Sequence, residues 1–189
     1  MSPPGIAFIA LGSNLGNPTD LVRRAIEQLQ LLSDQPLLKS SLWQSTPVDC
    51  PPGSPPFVNA VVGLAPRTAE TPATLLRQLQ KLEKKFGRRP KKILNEPRPL
   101  DLDLIAFGSQ TMNSPNLILP HPRAHLRRFV LQPLSEIAPD FVFPGQTKTV
   151  RQLSRGLKSR EVVRELLVPL LKRTRPRKTH RSALTKVTT

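Results

Sequence analysis

Two kinds of hydrophobic periodicity follow one another along this chain, and their order limits the folds that it can adopt. Helical spacing of apolar residues follows Asn17-Pro18 and Thr71-Pro72, where a capping residue precedes a proline at the first helical position. Short apolar runs predict strands over Ile6–Leu11, 37–46, Phe57–Leu64 and Leu100–Phe107. The order is strand, helix, strand, strand, helix, strand. It predicts an α+β protein with a ferredoxin-like βαββαβ core, an antiparallel sheet, helices on one face and extra C-terminal elements.

The chain changes character toward its C-terminus. Helical spacing continues near residues 127–137, and we predict one domain over residues 1–157. Residues 158–189 hold ten basic and two acidic side chains, half of the formal net charge of +16. We predict that this basic extension begins as an amphipathic helix over residues 159–172 and continues as a disordered tail.

The overall charge and the cysteine content restrict partners and location. A net charge of +16 attracts polyanions, which include nucleic acids, anionic membranes and nucleotide phosphates. The one cysteine, Cys50, excludes an intrachain disulfide and a cysteine-only metal cluster. No apolar run reaches the length of a membrane span, and the first residues lack the basic start of a secretory signal. We therefore expect a cytoplasmic protein that binds no membrane, and we expect it to be a monomer.

The segment PRPLDLDLI over Pro97–Ile105 carries the clearest chemical pattern. Side chains of a strand alternate between its faces, so the leucines are predicted to enter the core while Asp101 and Asp103 share the other face. A divalent cation relieves the repulsion between two adjacent carboxylates, and Mg²⁺ prefers oxygen ligands from carboxylates and phosphates. The spacing alone also allows a solvent-facing strand with acidic outer residues.

Basic side chains surround this acidic pair in the sequence. They are Arg88, Arg89, Lys91, Lys92 and Arg98. Arginine and magnesium together can neutralise a phosphoryl group during transfer, so a polyphosphate between them explains both sets of charges. The alternative for each basic residue is a solvated loop that follows a helix C-terminus.

Three further features are weaker when taken alone. His121 is held between two prolines and can bind a phosphate oxygen, with Arg127 and Arg128 nearby, but a single histidine is also a common structural residue. Phe57 and Asn59 share one face of a predicted strand, as a site for a planar heterocycle requires, or else they belong to the core. The turn Gly12–Gly16 lacks the lysine and the spacing of known phosphate loops.

Taken in order, these pieces resemble the 6-hydroxymethyl-7,8-dihydropterin pyrophosphokinases of folate biosynthesis. The matching segments are ALGSNLG at 10–16, STPV at 45–48, FVNAVV at 57–62, Glu83 to Gly87-Arg88, PRPLDLDLIAFG at 97–108, LPHPR at 119–123 and RRFVLQPLSEIAP at 127–139. The resemblance covers about residues 6–157 and implies the ferredoxin-like fold. It also implies transfer of pyrophosphate from ATP, with two Mg²⁺ ions, to the pterin hydroxymethyl group, releasing AMP.

The resemblance also assigns roles to residues. It implies that Asp101 and Asp103 hold the metal and that Arg88 and Arg98 contact the triphosphate and steady the transition state. It implies ATP contacts from Gln80, Glu83, His121 and Arg127, and pterin contacts from Thr46, Pro47, Val48, Phe57, Asn59 and Phe129. Relatives often have arginine at the position of Pro90 and tryptophan at that of Asn95, so Lys91, or Lys92, is expected to supply the loop contact to ATP.

The main alternative is a nucleic-acid-binding module, which the fold class and the charge both allow. Modules that stack bases on sheet aromatics carry a recognisable motif, which this chain lacks, and it has no tyrosine and a single tryptophan. Asp101 and Asp103 on the open face would also repel a nucleic-acid backbone. A third possibility is an enzyme whose basic tail alone binds RNA, an acidic protein or a membrane surface.

Overall fold

The computed structural model describes residues 5–90, 93 and 95–167 of the 189-residue chain. Its strands are β1 (Ala7–Ser13), β2 (Leu38–Lys39), β3 (Trp43–Ser45), β4 (Phe57–Leu64), β5 (Asp101–Phe107), β6 (Met112–Ser114), β7 (Leu117–Leu119) and β8 (Val163–Glu165). Its α-helices are α1 (Pro18–Gln30), α2 (Pro72–Lys85), α3 (Arg128–Ile137) and α4 (Val150–Gly156), with a 3₁₀ turn at Ala124–Leu126.

Six of these strands form one sheet, and its pairings are antiparallel. The strands lie in the order β5-β1-β4-β3-β8, with β2 also paired to β4, while β6 and β7 form a separate hairpin. The central strands β1 and β4 are buried on both faces, and their residues are apolar except for Asn59 in β4 and Ser13 at the end of β1. The structure therefore confirms a mixed α/β protein built on an antiparallel sheet.

Alternate residues of β1 and β5 enter two separate cores. Ile9 of β1 and Leu102 of β5 belong to the core under α1 and α2. Phe8 of β1 and Ile105 of β5 belong to the core under α3 and α4. The two core helices α1 and α2 therefore lie on one face of the sheet, and the additional C-terminal helices α3 and α4 lie on the opposite face.

Both long helices begin where the sequence predicts. The Asn17 side chain accepts a hydrogen bond from the Asp20 backbone N–H, and Thr71 forms a reciprocal capping box with Thr74. Helix α2 ends at Lys85, and Gly87 follows with a φ of +89°, a conformation that glycine adopts without strain.

Two other predicted elements differ from the structure. The strand predicted over residues 37–46 is divided into β2 and β3, because the Ser40 hydroxyl takes a place in the ladder by accepting a hydrogen bond from Val61 N–H at 3.0 Å. The helix predicted over 159–172 is wrong for its described part, where Val163–Glu165 form β8 on the edge of the sheet. The rest of that predicted helix, and the predicted tail, lie outside the described residues.

Candidate active site

An open cavity lies at one end of the sheet, on the face that α3 and α4 cover. The space inside it is about 660 Å³, its mouth included. Its walls come from β1, β4, β5, the start of α3 and the loop after β3. The predicted site residues that line it are Thr46, Val48, Phe57, Asn59, Arg98, Asp101, Asp103, Arg127 and Phe129.

The strand register places Gly12 between the Asn59 end and the Asp101 end of this cavity. On β1, Gly12 pairs with Asn59 of β4 on one side and with Asp101 of β5 on the other. An added Cβ at Gly12 would lie 3.5 Å from Asn59 Oδ1 and 3.7 Å from Phe57 Cδ1. The missing side chain at Gly12 therefore leaves the floor of the cavity open between the amide and the carboxylate.

Two arginines bind the first of the two aspartates. Arg98 Nη2 lies 2.9 Å from Asp101 Oδ2, and Arg88 forms ion pairs with both Asp101 and Glu83. Burial lowers the pKa of Arg88, but the Asp101 and Glu83 carboxylates outweigh this effect and raise it. Arg88 is therefore a permanent cation directly behind Asp101.

Glu83 connects helix α2 to strand β5 beneath the acidic pair. The residue is 8% exposed, and its Oε1 accepts a hydrogen bond from Leu102 N at 2.8 Å. Burial raises the pKa of Glu83 to about 7, helped by the nearby Asp101 and Asp103 charges, although the Leu102 N–H and Arg88 oppose the shift. Because Arg88 divides its charge between Glu83 and Asp101, it does not cancel the cost of burying the Glu83 carboxylate.

The second aspartate is less completely paired. The Asp103 side chain is 37% exposed, against 18% for Asp101, and its Oδ2 lies 3.8 Å from Arg127 Nη1. Protein atoms still surround much of the carboxylate, and this burial together with the Asp101 charge raises the pKa of Asp103 against the opposing effects of His121 and Arg127. A cation bound to Asp103 would offset both the cost of burying its carboxylate and the repulsion from Asp101.

Asp103 also lines a second hollow, which lies between the edge strand β5 and the β6–β7 hairpin. This hollow of about 640 Å³ is lined by Leu76, Asp103, Leu104, Ser114, Pro115, Asn116, Leu117, Ile118, His121 and Pro122. Burial lowers the pKa of His121, with Arg127 and Arg123 adding to this effect and Asp103 opposing it. The lowered pKa favours the neutral imidazole, whose Nδ1 accepts a hydrogen bond from Arg123 N at 3.2 Å.

Each aromatic ring of the cavity carries a guanidinium over its face. Arg98 Cζ lies 5.6 Å from the centre of the Phe57 ring, and Arg127 Cζ lies 5.4 Å from the centre of the Phe129 ring. These distances are within the range of cation–π attraction. The same two arginines therefore contact both the acidic pair and the aromatic walls.

Asn59 is a buried amide with a fixed orientation. It is 3% exposed, and its Nδ2 donates to Ser45 Oγ at 2.9 Å and to Trp43 O at 3.4 Å. These contacts turn Oδ1 toward Gly12 and the cavity. The amide can thus bind a heterocycle edge without rearrangement.

Not every predicted site residue lines the cavity. Gln80 is exposed on α2, Pro47 is half-buried between the lining residues Thr46 and Val48, and Glu83 and Arg88 lie behind Asp101. Lys91 and Lys92 lie outside the described residues.

The structure also reveals two residues to which the sequence interpretation gave no role in the site. Asn14 is buried, and its Oδ1 accepts a hydrogen bond from Arg98 N at 2.8 Å, which fixes the arginine's backbone against the Gly12–Gly16 turn. Asn95 adopts a φ of +54° and donates to Asp49 O at 2.8 Å, joining two loops at the mouth of the cavity. Their contacts join residues far apart in the chain, and periodicity carries no signal for such contacts.

Two kinds of site are not seen in the part of the chain that the structure describes. It contains no group of three or more His, Cys, Asp or Glu side chains placed to hold a metal ion. Within the same residues, every helix is too short or too polar to cross a membrane.

Comparison with known proteins identifies relatives over most of the chain. Residues 8–139 match the profile of the 7,8-dihydro-6-hydroxymethylpterin-pyrophosphokinase (HPPK) family. The 2-amino-4-hydroxy-6-hydroxymethyldihydropteridine pyrophosphokinase of Synechocystis sp. is 40% identical over 148 residues, 78% of this chain and 73% of that protein. The protein of the same name from Haemophilus influenzae is 38% identical over 78% of this chain and 92% of its own length.

Solved structures of HPPK-DHPS proteins share the fold of this chain. A crystal structure of an HPPK-DHPS protein in complex with substrates has a TM-score of 0.64 and 11% sequence identity. The match covers 82% of this chain and 43% of that one, so this chain spans less than half of that longer protein.

Proposed function

This chain belongs to the 7,8-dihydro-6-hydroxymethylpterin-pyrophosphokinase family, and we propose that its cavity binds the pterin beside a magnesium–ATP site at Asp101 and Asp103. Family membership makes it a pyrophosphokinase of folate biosynthesis that acts on the pterin substrate. The roles of individual residues, the number of metal ions and the place of each ligand are proposals.

The proposed reaction is a displacement at the β-phosphorus of ATP. The hydroxymethyl oxygen of the pterin forms a bond to the β-phosphorus as the bond from that phosphorus to the α,β-bridging oxygen breaks. AMP leaves with that oxygen, the pterin keeps the pyrophosphoryl group, and the hydroxyl proton passes to water or to a phosphate oxygen. Positioning and electrostatic stabilisation provide most of the catalysis in such transfers.

One observation carries the proposal: an amide and two aromatic rings share a single cavity with an aspartate pair flanked by arginines. A pterin needs a flat, hydrogen-bonding slot, and a polyphosphate needs cations and a metal. Gly12 leaves the space between these two parts open, so the alcohol can reach a phosphorus that lies next to the carboxylates.

For the pterin, we propose that Asn59 Oδ1 accepts a hydrogen bond from the ring edge. The rings of Phe57 and Phe129, which line the cavity, enclose the heterocycle. Phenylalanine suffices for this role because stacking on a flat ring requires only a π face. Backbone groups near Thr46, Pro47 and Val48 complete the edge contacts.

For ATP, we propose that the base lies in the hollow beside His121 and that the phosphates cross Asp103 toward the cavity. Asp103 lines both spaces, which supports this path. Arg98 and Arg127 line the cavity beside this path, and Arg88 lies behind Asp101. Glu83 acts from behind by holding β5 and Arg88 in place. Contacts from Gln80 and Lys91 remain predictions.

The residues present fit a magnesium ion. Two carboxylates on one face of a strand provide too few ligands for a protein-only site, but they suit Mg²⁺ that takes its remaining ligands from phosphates and water. The Asp103 side chain is 37% exposed, and its ion pair with Arg127 is long, at 3.8 Å, so an incoming cation can reach this carboxylate. When bound, Mg²⁺ would neutralise phosphate charge and orient the phosphate chain, and we propose two ions.

The finer structural and cellular assignments also belong to the proposal. The four core strands β5, β1, β4 and β2/β3 follow the spatial order expected of a ferredoxin-like core. We retain one catalytic domain, a monomer and a cytoplasmic location as predictions.

The decisive experiment is incubation with hydroxymethyldihydropterin and Mg-ATP, followed by chromatography of the nucleotides. We expect AMP and the pyrophosphorylated pterin in equal amounts. ADP in place of AMP, or no pterin-dependent product, would contradict the proposal.

A further inference from the structure

The segment Ser159–Leu166, which we call the C-terminal strap, links two walls of the cavity. It follows α4 and contains β8, and it lies beyond residue 139, where the match to the family profile ends. From its contacts we infer that Glu161 of the strap is a positioning residue for pterin binding, because it fixes the first turn of α3 and therefore Phe129. This inference rests on the proposed binding of the pterin in the cavity.

The strap is first anchored to the wall that β3 forms. Val163 of the strap pairs with Ser45 of β3, and Leu166 N donates to Leu42 O at 2.8 Å. Thr46 and Val162 exchange two hydrogen bonds, from Thr46 N to Val162 O at 3.1 Å and from Val162 N to Thr46 Oγ1 at 3.3 Å. Ser45 and Thr46 line the cavity, so the strap lies directly behind this wall.

The residue before Val162 reaches the opposite wall. Glu161 Oε2 accepts a hydrogen bond from Phe129 N at 3.2 Å, in the first turn of α3. The cap residue of this helix, Arg127, provides no side-chain hydrogen bond to it. The N–H groups of a first helical turn have no partner within the helix, and a carboxylate at this end is favoured by the helix dipole. Glu161 thus supplies from the strap the cap that α3 lacks locally.

Glu161 is itself held in place. Its backbone N donates to Ser159 Oγ at 3.1 Å. Its side chain is half-buried, and its charge acts on Arg127, whose guanidinium lies over the Phe129 ring. The carboxylate of Glu161 therefore restrains the backbone turn of α3 that carries the Phe129 ring.

Loss of the Glu161 cap would loosen the α3 side of the pterin cavity. If the first turn of α3 frays, Phe129 no longer keeps a fixed place in the cavity wall, and a flat ligand must then order the turn as it binds. Such ordering lowers affinity for the pterin. The hollow beside His121 has no contact with the strap among its lining residues, so ATP binding should change little.

The test compares Glu161→Ala with wild type by steady-state kinetics and by pterin titration calorimetry, below the melting temperature of each protein. We expect the KM and Kd for the pterin to rise about fivefold, as for the loss of a helix cap, while the KM for ATP changes less than about twofold. Glu161→Gln keeps an acceptor oxygen and should remain close to wild type. Glu165→Ala, which removes an exposed carboxylate of β8, is the matched control and should behave as wild type.

A double-mutant cycle separates positioning from general stabilisation. In the Phe129→Ala background, Glu161→Ala should cause no further loss of pterin affinity, because Glu161 acts through Phe129. If Glu161→Ala cannot be obtained folded, Ser159→Ala is used instead and should raise the pterin KM in the same direction.

The two proposals fail in different ways. A wild-type enzyme that forms no AMP with the pterin contradicts the proposed function. An active wild type whose Glu161→Ala variant keeps its pterin KM, or raises both KM values equally, overturns only the role of Glu161. Additive losses in the cycle would overturn it as well.

Discussion

Asn59 and Asp101 lie in one row of the sheet, on the two strands that flank β1, with only the backbone of Gly12 between them. One residue can therefore hold the heterocycle while the other holds the phosphate end, separated by about two strand spacings, roughly 10 Å. The register of three strands, and not a mobile loop, sets this distance.

Removing either aspartate charge should abolish most of the activity, but the two variants should differ in stability. We expect kcat to fall at least about a hundredfold in Asp101→Asn and in Asp103→Asn, because each loses a proposed metal ligand. Asp101 also binds Arg88 and Arg98, whereas Asp103 has one arginine at 3.8 Å, so only Asp101→Asn should lower the melting temperature markedly. Kinetics and thermal unfolding test this. Asp140→Asn, a change in an exposed ion pair, is the control, and near-normal turnover in both site variants would contradict the assignment.

Asn59→Ala should weaken pterin binding and leave ATP binding unchanged. The change removes the amide oxygen beside Gly12 and leaves the buried Ser45 hydroxyl without its partner, at a cost of about 1–3 kcal/mol in stability. Calorimetry with each ligand separates the two effects. Ser45→Ala removes the hydroxyl alone and should retain most of the pterin affinity. Equal loss of affinity for both ligands would argue against a direct contact with Asn59.

A side chain at position 12 should block the cavity without unfolding the protein. The Cβ of Gly12→Ala has ordinary contacts of 3.5 Å and 3.7 Å with Asn59 and Phe57, so the fold accommodates it, but it occupies the space where the ligand crosses β1. We expect the pterin KM to rise in Gly12→Ala and activity to disappear in Gly12→Val, with far-UV circular dichroism unchanged. Gly156→Ala, at an open position of α4, is the control. A fully active Gly12→Val enzyme would show that the ligand does not cross this strand.

The sequence predicts which side chains share a face of each strand, but it does not predict where α3 and β8 pack. Alternation in LDLD correctly separates the leucines from the aspartates, and the same rule puts Phe57 and Asn59 on one face. Periodicity does not reveal that α3 covers the opposite face, because a helix pattern gives its apolar side but not its partner. Nor does it reveal β8, since three residues with mixed polarity become a strand only through pairing with β3.

Glu83 makes stability depend on pH in a direction that can be measured. Its pKa is raised from 4.5 to about 7 in the folded protein, so between these values the folded state binds more protons than the unfolded state. The free energy of unfolding contributed by this group therefore falls as pH rises from about 4.5 to 7 and is level above that range. The difference corresponds to roughly 3–4 kcal/mol, at about 1.36 kcal/mol for each pKa unit.

Glu83→Gln removes this proton-binding group while keeping an oxygen that can accept from Leu102 N. Relative to wild type, the variant should gain stability steadily as pH is raised from 5 to 7.5, by up to about 3 kcal/mol. Urea unfolding at several pH values measures the difference between the two proteins, which cancels the contributions of other carboxylates. Glu27→Gln on the exposed face of α1 is the matched control and should follow wild type at every pH. If the curves of Glu83→Gln and wild type run parallel, burial does not hold a proton on Glu83, and this carboxylate is a charged partner of Arg88 throughout the range.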